Sequence, residues 1–325
     1  MDYKWCVCDM DGTLLDSQGL ISVKNEAALK KLQNQGVEII IASGRTDLMM
    51  KQYINQLNIR GHVISCNGAI IKNIEKNKTV YRKTLDKESA KSLIEFFFRS
   101  NLNFLVYTDD VVYSNKSNLR AKYFDEINKT LPVDFRTPIE YFDLDSINVV
   151  GDKEIIKILL VEGGDNVRGS VISYLKRFLN ISVVSSAKGL LDIWAPNVSK
   201  GSAVKILSEM VGINLEKVIA FGDNHNDVEL FETVGMPIAM ANALDELKLI
   251  AKFVTLSNDE DGIWYAIDKI FWNKCSINYK STVMVLLRYL TLGKGILEIF
   301  FLIMYVDYDI IILNNRYDGE IDVCY

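Results

Sequence analysis

Four short apolar runs punctuate the chain: WCVC (5–8), VEIIIAS (37–43), HVISCN (62–67) and KVIAFGD (217–223). Each is continuous rather than alternating, the pattern of strands covered on both faces, as in a parallel sheet. Between the first three, apolar positions recur at helical spacing. Residues 24–35 carry Ala27, Ala28 and Leu32 and stop at Gly36, and residues 46–57 carry Leu48, Met49, Ile54 and Leu57. Strand, helix, strand, helix, strand predicts an α/β fold with a doubly wound, Rossmann-like parallel sheet.

From about residue 84 the pattern changes. A helical stretch, KESAKSLIEFFFRS, precedes NFLVYTDDVVYSN, whose two runs around Asp109-Asp110 predict a hairpin. A helix near 117–129, a strand EIIKILLVEG, a helix over 166–178 and strands ISVVSS and LLDIWA follow. SKGSAVKILSEMVGI then places Ala203, Ile206, Leu207, Met210 and Val211 on one helix face, with Gly212 as its stop. The expected organisation is a discontinuous core of residues 1–83 and 195–272, an inserted α+β unit over 84–194, and an extension over 273–325.

Composition narrows the partners. A net charge of −5 without a dense Lys/Arg run gives no electrostatic footprint for nucleic acid, so a small-molecule partner is expected. Cys6, Cys8, Cys66, Cys275 and Cys324 are odd in number and lack the paired spacing of a zinc site, which points to free thiols in a reducing compartment. The opening MDYKW lacks the basic and apolar regions of a secretory signal, so the expected location is cytoplasmic.

Ligands of open parallel sheets bind beyond the carboxyl ends of the strands. The four runs end in Asp9, Ser43, Asn67 and Asp223, each delivering a polar side chain to that edge. Asp9 and Asp11 with Asp223 and Asp227 suit a hard cation with oxygen ligands, Mg²⁺ rather than Zn²⁺ given the scarcity of histidine. An EF-hand is excluded, because the sixth loop position is Leu14 counted from Asp9 and Val228 counted from Asp223. Taken alone, DGT is an ordinary Asp-Gly turn, Ser43 in SGRT a helix cap and Lys200 a solvated lysine. Gathered at one edge, Ser43 and Lys200 would instead bind a phosphate. His62 and His225 receive no catalytic role.

In combination these residues resemble the haloacid dehalogenase superfamily. DMDGTLL is similar to its first motif, SGR to its second, Lys200 in SKG to its third and GDNHND to its fourth. CNGA after the third strand, followed by a large insertion, resembles the Cof-type, subclass IIB, cap-bearing phosphatases, over roughly residues 1–272. The resemblance implies a Mg²⁺-dependent phosphomonoesterase acting on a small phosphorylated metabolite, a sugar phosphate or a phosphorylated cofactor. It implies Asp9 as the nucleophile that forms an aspartyl-phosphate, and Asp11 as general acid and then base, its backbone carbonyl also on the metal. Asp9 and Asp223 would hold Mg²⁺, with Asp227 a ligand through water or a support. Ser43, Gly44 and Lys200 would bind the phosphoryl group, Asn226 would orient its loop, Asn67 and Gly68 would line the entrance, and Arg45 would orient substrate or brace the cap. Tyr107, Asp109, Arg120 and Trp194 are the cap's candidates for substrate contact.

Two departures stand out. Asn197 occupies a position where relatives carry glycine, and asparagine tolerates positive φ well enough to keep the turn. The extension contains STVMVLLRYLTLGKGILEIFFLIMYVDYDIIIL, interrupted by Arg288, Lys294, Glu298, Asp307 and Asp309. No window matches a spanning helix, so a packing or oligomerisation element ranks first and interfacial membrane contact second, with monomer or homo-oligomer both open. The competing functions are a phosphosugar mutase of the same superfamily and a non-catalytic regulatory relative. A receiver domain lacks both the insertion and the second acidic cluster.

Overall fold

The computed structural model describes residues 2–115, 118–161, 165–187 and 189–272, together with the backbone of three strands over 301–324. The chain divides into two compact units, Met1–Cys275 and Ser276–Tyr325.

The first unit opens with β1 (Trp5–Cys8), α1 (Val23–Asn34), β2 (Glu38–Ala42), α2 (Asp47–Gln56) and β3 (His62–Ser65). Ser22 caps α1 by accepting from the Asn25 amide, and Gly36 turns the chain out at φ +84°. An antiparallel hairpin, β4 (Ile70–Asn73) and β5 (Lys78–Arg82), continues from β3. The next stretch runs α3 (Lys87–Arg99), β6 (Asn103–Tyr107), β7 (Val112–Asn115), α4 (Leu119–Thr130), β8 (Ile139–Phe142) and α5 (Ile147–Gly151). It continues through β9 (Lys157–Val161), α6 (Asp165–Leu175), β10 (Ser182–Ala187) and β11 (Leu190–Trp194). Then follow α7 (Lys200–Val211), β12 (Val218–Gly222), α8 (Val228–Thr233), β13 (Met236–Ala239), α9 (Asp245–Ile250), β14 (Phe253–Val254) and α10 (Gly262–Ile267).

These strands form two sheets. The larger has the order β14-β13-β12-β1-β2-β3-β4-β5, parallel from β14 through β3. Its central strands β1 and β12 are buried at every position, which is why they read as unbroken apolar runs. The winding runs outward from β1 on one side and from β12 on the other. The seam between them is therefore the topological switch point, where a crevice opens beyond the strand ends.

The smaller sheet has the order β10-β11-β9-β6-β7-β8, antiparallel except between β7 and β8. Its alternation is strict. Phe104, Val106, Ile158, Leu160, Leu191 and Ile193 face a core closed by Leu93 and Phe97 of α3 and by Val171 and Leu175 of α6. Leu105, Tyr107 and Leu159 face the other way, against Leu190, Phe124 of α4 and Met49 of α2, a helix of the larger sheet's layer.

Two expectations about helix faces need revision, and one hairpin was not expected. Ala27 is exposed, and α1 buries Asn25, Ala28, Leu29 and Leu32 instead. In α7 the buried stripe is Lys200, Ala203, Val204, Leu207 and Ser208, leaving Met210 and Val211 exposed. That helix is rotated so that its first residue points inward, and Gly212 ends it at φ +72°. The β4–β5 hairpin carries no continuous apolar run to announce it.

In the second unit the backbone forms a three-stranded antiparallel sheet, β15 (Phe301–Val306), β16 (Asp309–Asn315) and β17 (Ile321–Cys324). Part of the apolar tail, residues 273–300, lies outside the described residues. Among the described residues no helix is long and apolar enough to cross a membrane.

Candidate active site

Asp9 follows β1 directly, with its amide donating to the Phe221 carbonyl of β12, so the register between the two central strands fixes its position. Asp223 directly follows β12. The carboxylates of Asp9, Asp223 and Asp227 offer oxygens that all lie within 4.8 Å of one another. Lys200 enters this cluster fully buried, 2.6 Å from an oxygen of Asp9 and 2.6 Å from one of Asp227. Asp227 spends its second oxygen on the amides of Asp223 and Asn224, at 3.0 and 3.2 Å. It therefore braces the loop and the lysine together.

Three carboxylates and one ammonium sum to a formal charge of −2 in a site shielded from water. The consequences appear in the acidities. Burial holds the Asp9 carboxyl well above its ordinary value; Lys200 pulls it down, and the charges of Asp227 and Asp223 push it up again. Asp223 is also raised, mainly by burial, against a hydrogen bond from Thr13 that favours its charged form. Burial disfavours the charge on Lys200, but Asp227 and Asp9 more than offset this and keep the group an ammonium. An all-oxygen, partly buried donor set with two uncompensated negative charges fits a hard divalent cation.

Gly12 makes the close approach possible. Its φ is +80°, and a Cβ there would lie 2.5 Å from an Asp223 oxygen. Thr13 donates to Asp223 at 2.7 Å; sequence reasoning passed over it, although its hydroxyl sits inside DGTLL.

Asp11 stands apart from the carboxylate cluster. Its side chain is 61% exposed and receives a forked pair of hydrogen bonds from Arg45, one of them 3.0 Å from Nε. Ser43 is buried at the end of β2, and its hydroxyl accepts from the Arg45 amide at 3.2 Å. Gly44 lies against the Asn67 amide group, with 3.3 Å left for a Cβ, and Asn226 donates to the Asn67 side chain at 3.0 Å. Asn67 adopts φ +54° in a short turn two residues past β3. Gly68, at φ +103°, is pressed to the Ser199 carbonyl, where a Cβ would sit only 2.1 Å away. Asn197 takes φ +56°, the conformation expected where relatives carry glycine.

All eleven residues singled out from the four motifs and CNGA thus gather at the strand-end edge. Of the two histidines, His225 lies in the loop after β12 but is exposed and paired with Glu246, and His62 pairs with Glu38 at the opposite edge, where β2 and β3 begin. Of the second sheet's candidates, Asp109 is bound by Arg82, and Arg120 lies over the rings of Tyr123 and Phe124. Tyr107 and Trp194 are buried opposite Lys157 in the register, a residue that the sequence reading did not select. Lys157 is 2.7 Å from Asp192 and reaches toward the Gly44 carbonyl at 3.5 Å.

The family model for haloacid dehalogenase-like hydrolases matches residues 6–267. The chain belongs to that family. It is 31% identical to a 5-amino-6-(5-phospho-D-ribitylamino)uracil phosphatase of Bacillus subtilis, over 82% of this chain and 98% of the relative. It is 29% identical to a putative phosphatase of Mycoplasma genitalium, over 83% and 99%. A crystal structure of a haloacid dehalogenase-like hydrolase from Bacteroides thetaiotaomicron superposes with a TM-score of 0.72 at 31% identity, covering 83% of this chain and all of that one. A subclass IIB sugar phosphatase shares the fold at 21% identity, with a TM-score of 0.68. The chain is accordingly a hydrolase of the phosphatase type, with the α/β architecture of this family.

Proposed function

We propose that the chain is a Mg²⁺-dependent phosphomonoesterase that hydrolyses a small phosphorylated metabolite through a phosphorylated Asp9. The observation that carries this reading is the charge excess of the Asp9–Asp223–Asp227–Lys200 cluster, which calls for a bound divalent cation. Asp9 and Asp223 would hold Mg²⁺, with the Asp11 carbonyl completing the protein's contribution; the ion would offset the charge of the phosphoryl oxygens and of Asp9 during attack.

Asp9 then supplies the oxygen that displaces the alcohol. Lys200 and the Ser43 hydroxyl, with the backbone around Gly44, hold the phosphoryl group in line, where fixed donors matter most because the reaction is governed by positioning and charge. Asp11, released from Arg45 and protonated from solvent as substrate binds, gives that proton to the departing alcohol and takes one from the water that later cleaves the aspartyl-phosphate. Arg45 grips Asp11 in the resting protein and orients it; Asn67, held by Asn226, lines the entrance with Gly68. Residues 84–194 would act as a cap over the core of residues 1–83 and 195–272, excluding bulk water and reading the leaving group.

The ribityl phosphate substrate of the Bacillus subtilis relative makes phosphorylated polyols the first compounds to try. Phosphate release should be measured over a panel of phosphorylated metabolites with and without Mg²⁺. Turnover only with the metal is expected. Phosphate returned to substrate in the presence of a bisphosphate activator would indicate a mutase, and no release from any ester would sink the enzymatic reading.

A further inference from the structure

The smaller sheet buries one charged pair on the face that turns toward α2. Lys157 opens β9 and is 8% exposed, and Asp192 in β11 is 3% exposed. Asp192 stands opposite Leu159, which places it diagonally across from Lys157 on the same face, and Tyr107 of β6 stands directly opposite Lys157. Around the pair this face is apolar, with Leu105, Leu159 and Leu190.

A buried ion pair is seldom retained for stability, since an apolar pair of the same volume often does as well or better. The donor inventory suggests what this one does. An ammonium has three N–H groups. On Lys157 one goes to Asp192 at 2.7 Å, and the Tyr107 ring lies 4.7 Å from the nitrogen. The contact with the Gly44 carbonyl, at 3.5 Å, is longer than a good N–H···O bond. Lys157 thus carries a weakly used donor, held rigidly, next to the loop whose Ser43 would grip the phosphoryl group. On the phosphatase reading, the alcohol half of a phosphoester bound there would extend from that loop toward Lys157.

We propose that Lys157, fixed by Asp192 over the Tyr107 ring, is the specificity-determining residue of the second sheet, donating to a hydroxyl or carbonyl oxygen on the leaving-group half of the substrate. This rests on the phosphatase reading above. The weak bond to Gly44 is exchanged for the substrate oxygen, and Asp192 sets both the aim and the charge of the donor.

The test is the ratio of kcat/KM for a hydroxylated ester to that for 4-nitrophenyl phosphate, whose leaving group has no such oxygen at the corresponding position. The hydroxylated ester is whichever of sorbitol 6-phosphate, glucose 6-phosphate and ribose 5-phosphate the parent turns over fastest. Lys157→Met should lower that ratio by about ten- to a hundredfold, the loss of one hydrogen bond from a charged donor. If Lys157→Met does not fold, the double variant K157M/D192L, which leaves no unpaired buried charge, makes the same comparison. A ratio that stays within twofold overturns the proposal, as does a parent that hydrolyses the aryl ester but none of the three others. Failure of the phosphatase reading itself looks different: the parent would then release phosphate from no ester at all.

Discussion

Each of the two sheets in the first unit buries a lysine. At the edge of the larger sheet, Lys200 stands between two carboxylates with a third close by, in a cluster that remains two charges negative. In the smaller sheet, Lys157 faces a single carboxylate and an aromatic ring, and the pair is neutral. Burial disfavours the charge on both, and in both the carboxylates more than restore it. The first arrangement is electrostatically incomplete and fits a divalent cation. The second is complete and leaves only a hydrogen-bond donor to spend. On the proposed reading, charge imbalance marks the site of chemistry, and balanced polarity inside an apolar face marks the site of recognition.

The sharpest way to break this contrast is at the incomplete site. Asp9→Asn should abolish turnover, by about a thousandfold or more, while the fold holds or gains stability because a surplus charge is gone. Hydrolysis of an aryl phosphate at the parent rate would remove Asp9 from its role. Next in size, Lys200→Met leaves three buried carboxylates without their cation. In metal-free buffer it should cost about 3–5 kcal/mol in denaturant unfolding, and Mg²⁺ should recover part of the loss.

Acidity gives a subtler separation. Asp9 and Asp223 have raised values in the folded chain, so the native state binds more protons than the unfolded one above the ordinary carboxylate range. The metal-free protein should therefore lose stability as pH rises from about 4 toward neutrality, since stability falls wherever the native state holds the extra protons. Saturating Mg²⁺ should flatten that slope and add about 2.7 kcal/mol at a hundred times its Kd. Melting temperatures across that pH range with and without Mg²⁺ decide it; parallel curves would mean that the carboxylates do not share an ion.

The smallest effect distinguishes two glycines of similar backbone angle. Gly12→Ala should cost about 2 kcal/mol and weaken Mg²⁺ binding, because the new methyl meets Asp223 as well as a positive φ. Gly212→Ala, with φ +72° and open space around it, should cost about 1 kcal/mol and leave Mg²⁺ affinity alone. Isothermal titration of both variants with Mg²⁺ separates strain from obstruction.

The same contrast explains how far the sequence could be read. Asp9, Ser43 and Asp223 each follow a parallel strand whose last four residues are buried, so local pattern and the strand-end rule locate them without knowledge of which strands touch. Lys157 and Asp192 are thirty-five positions apart and meet only through the antiparallel register of β9 with β11. In sequence each is a single charge in an apolar run, and a run of that kind gives no register. Thr13 escaped for a different reason: a hydroxyl beside an Asp-Gly turn looks like turn chemistry until Asp223 arrives from the far end of the chain. The stripe of α7 was misjudged because helical periodicity assumes that only apolar side chains turn inward, whereas Lys200 takes the innermost position.

Gly68 and Ser199 touch backbone to backbone, yet the whole smaller sheet is spelled out between them. The chain leaves the reaction centre and returns to it through one stitched point. Whatever is inserted, lengthened or rewritten in that excursion need not shift Asn67 on one side of the stitch or Lys200 on the other. On the proposed reading, the part that selects substrate can therefore change length or sequence without moving the part that reacts.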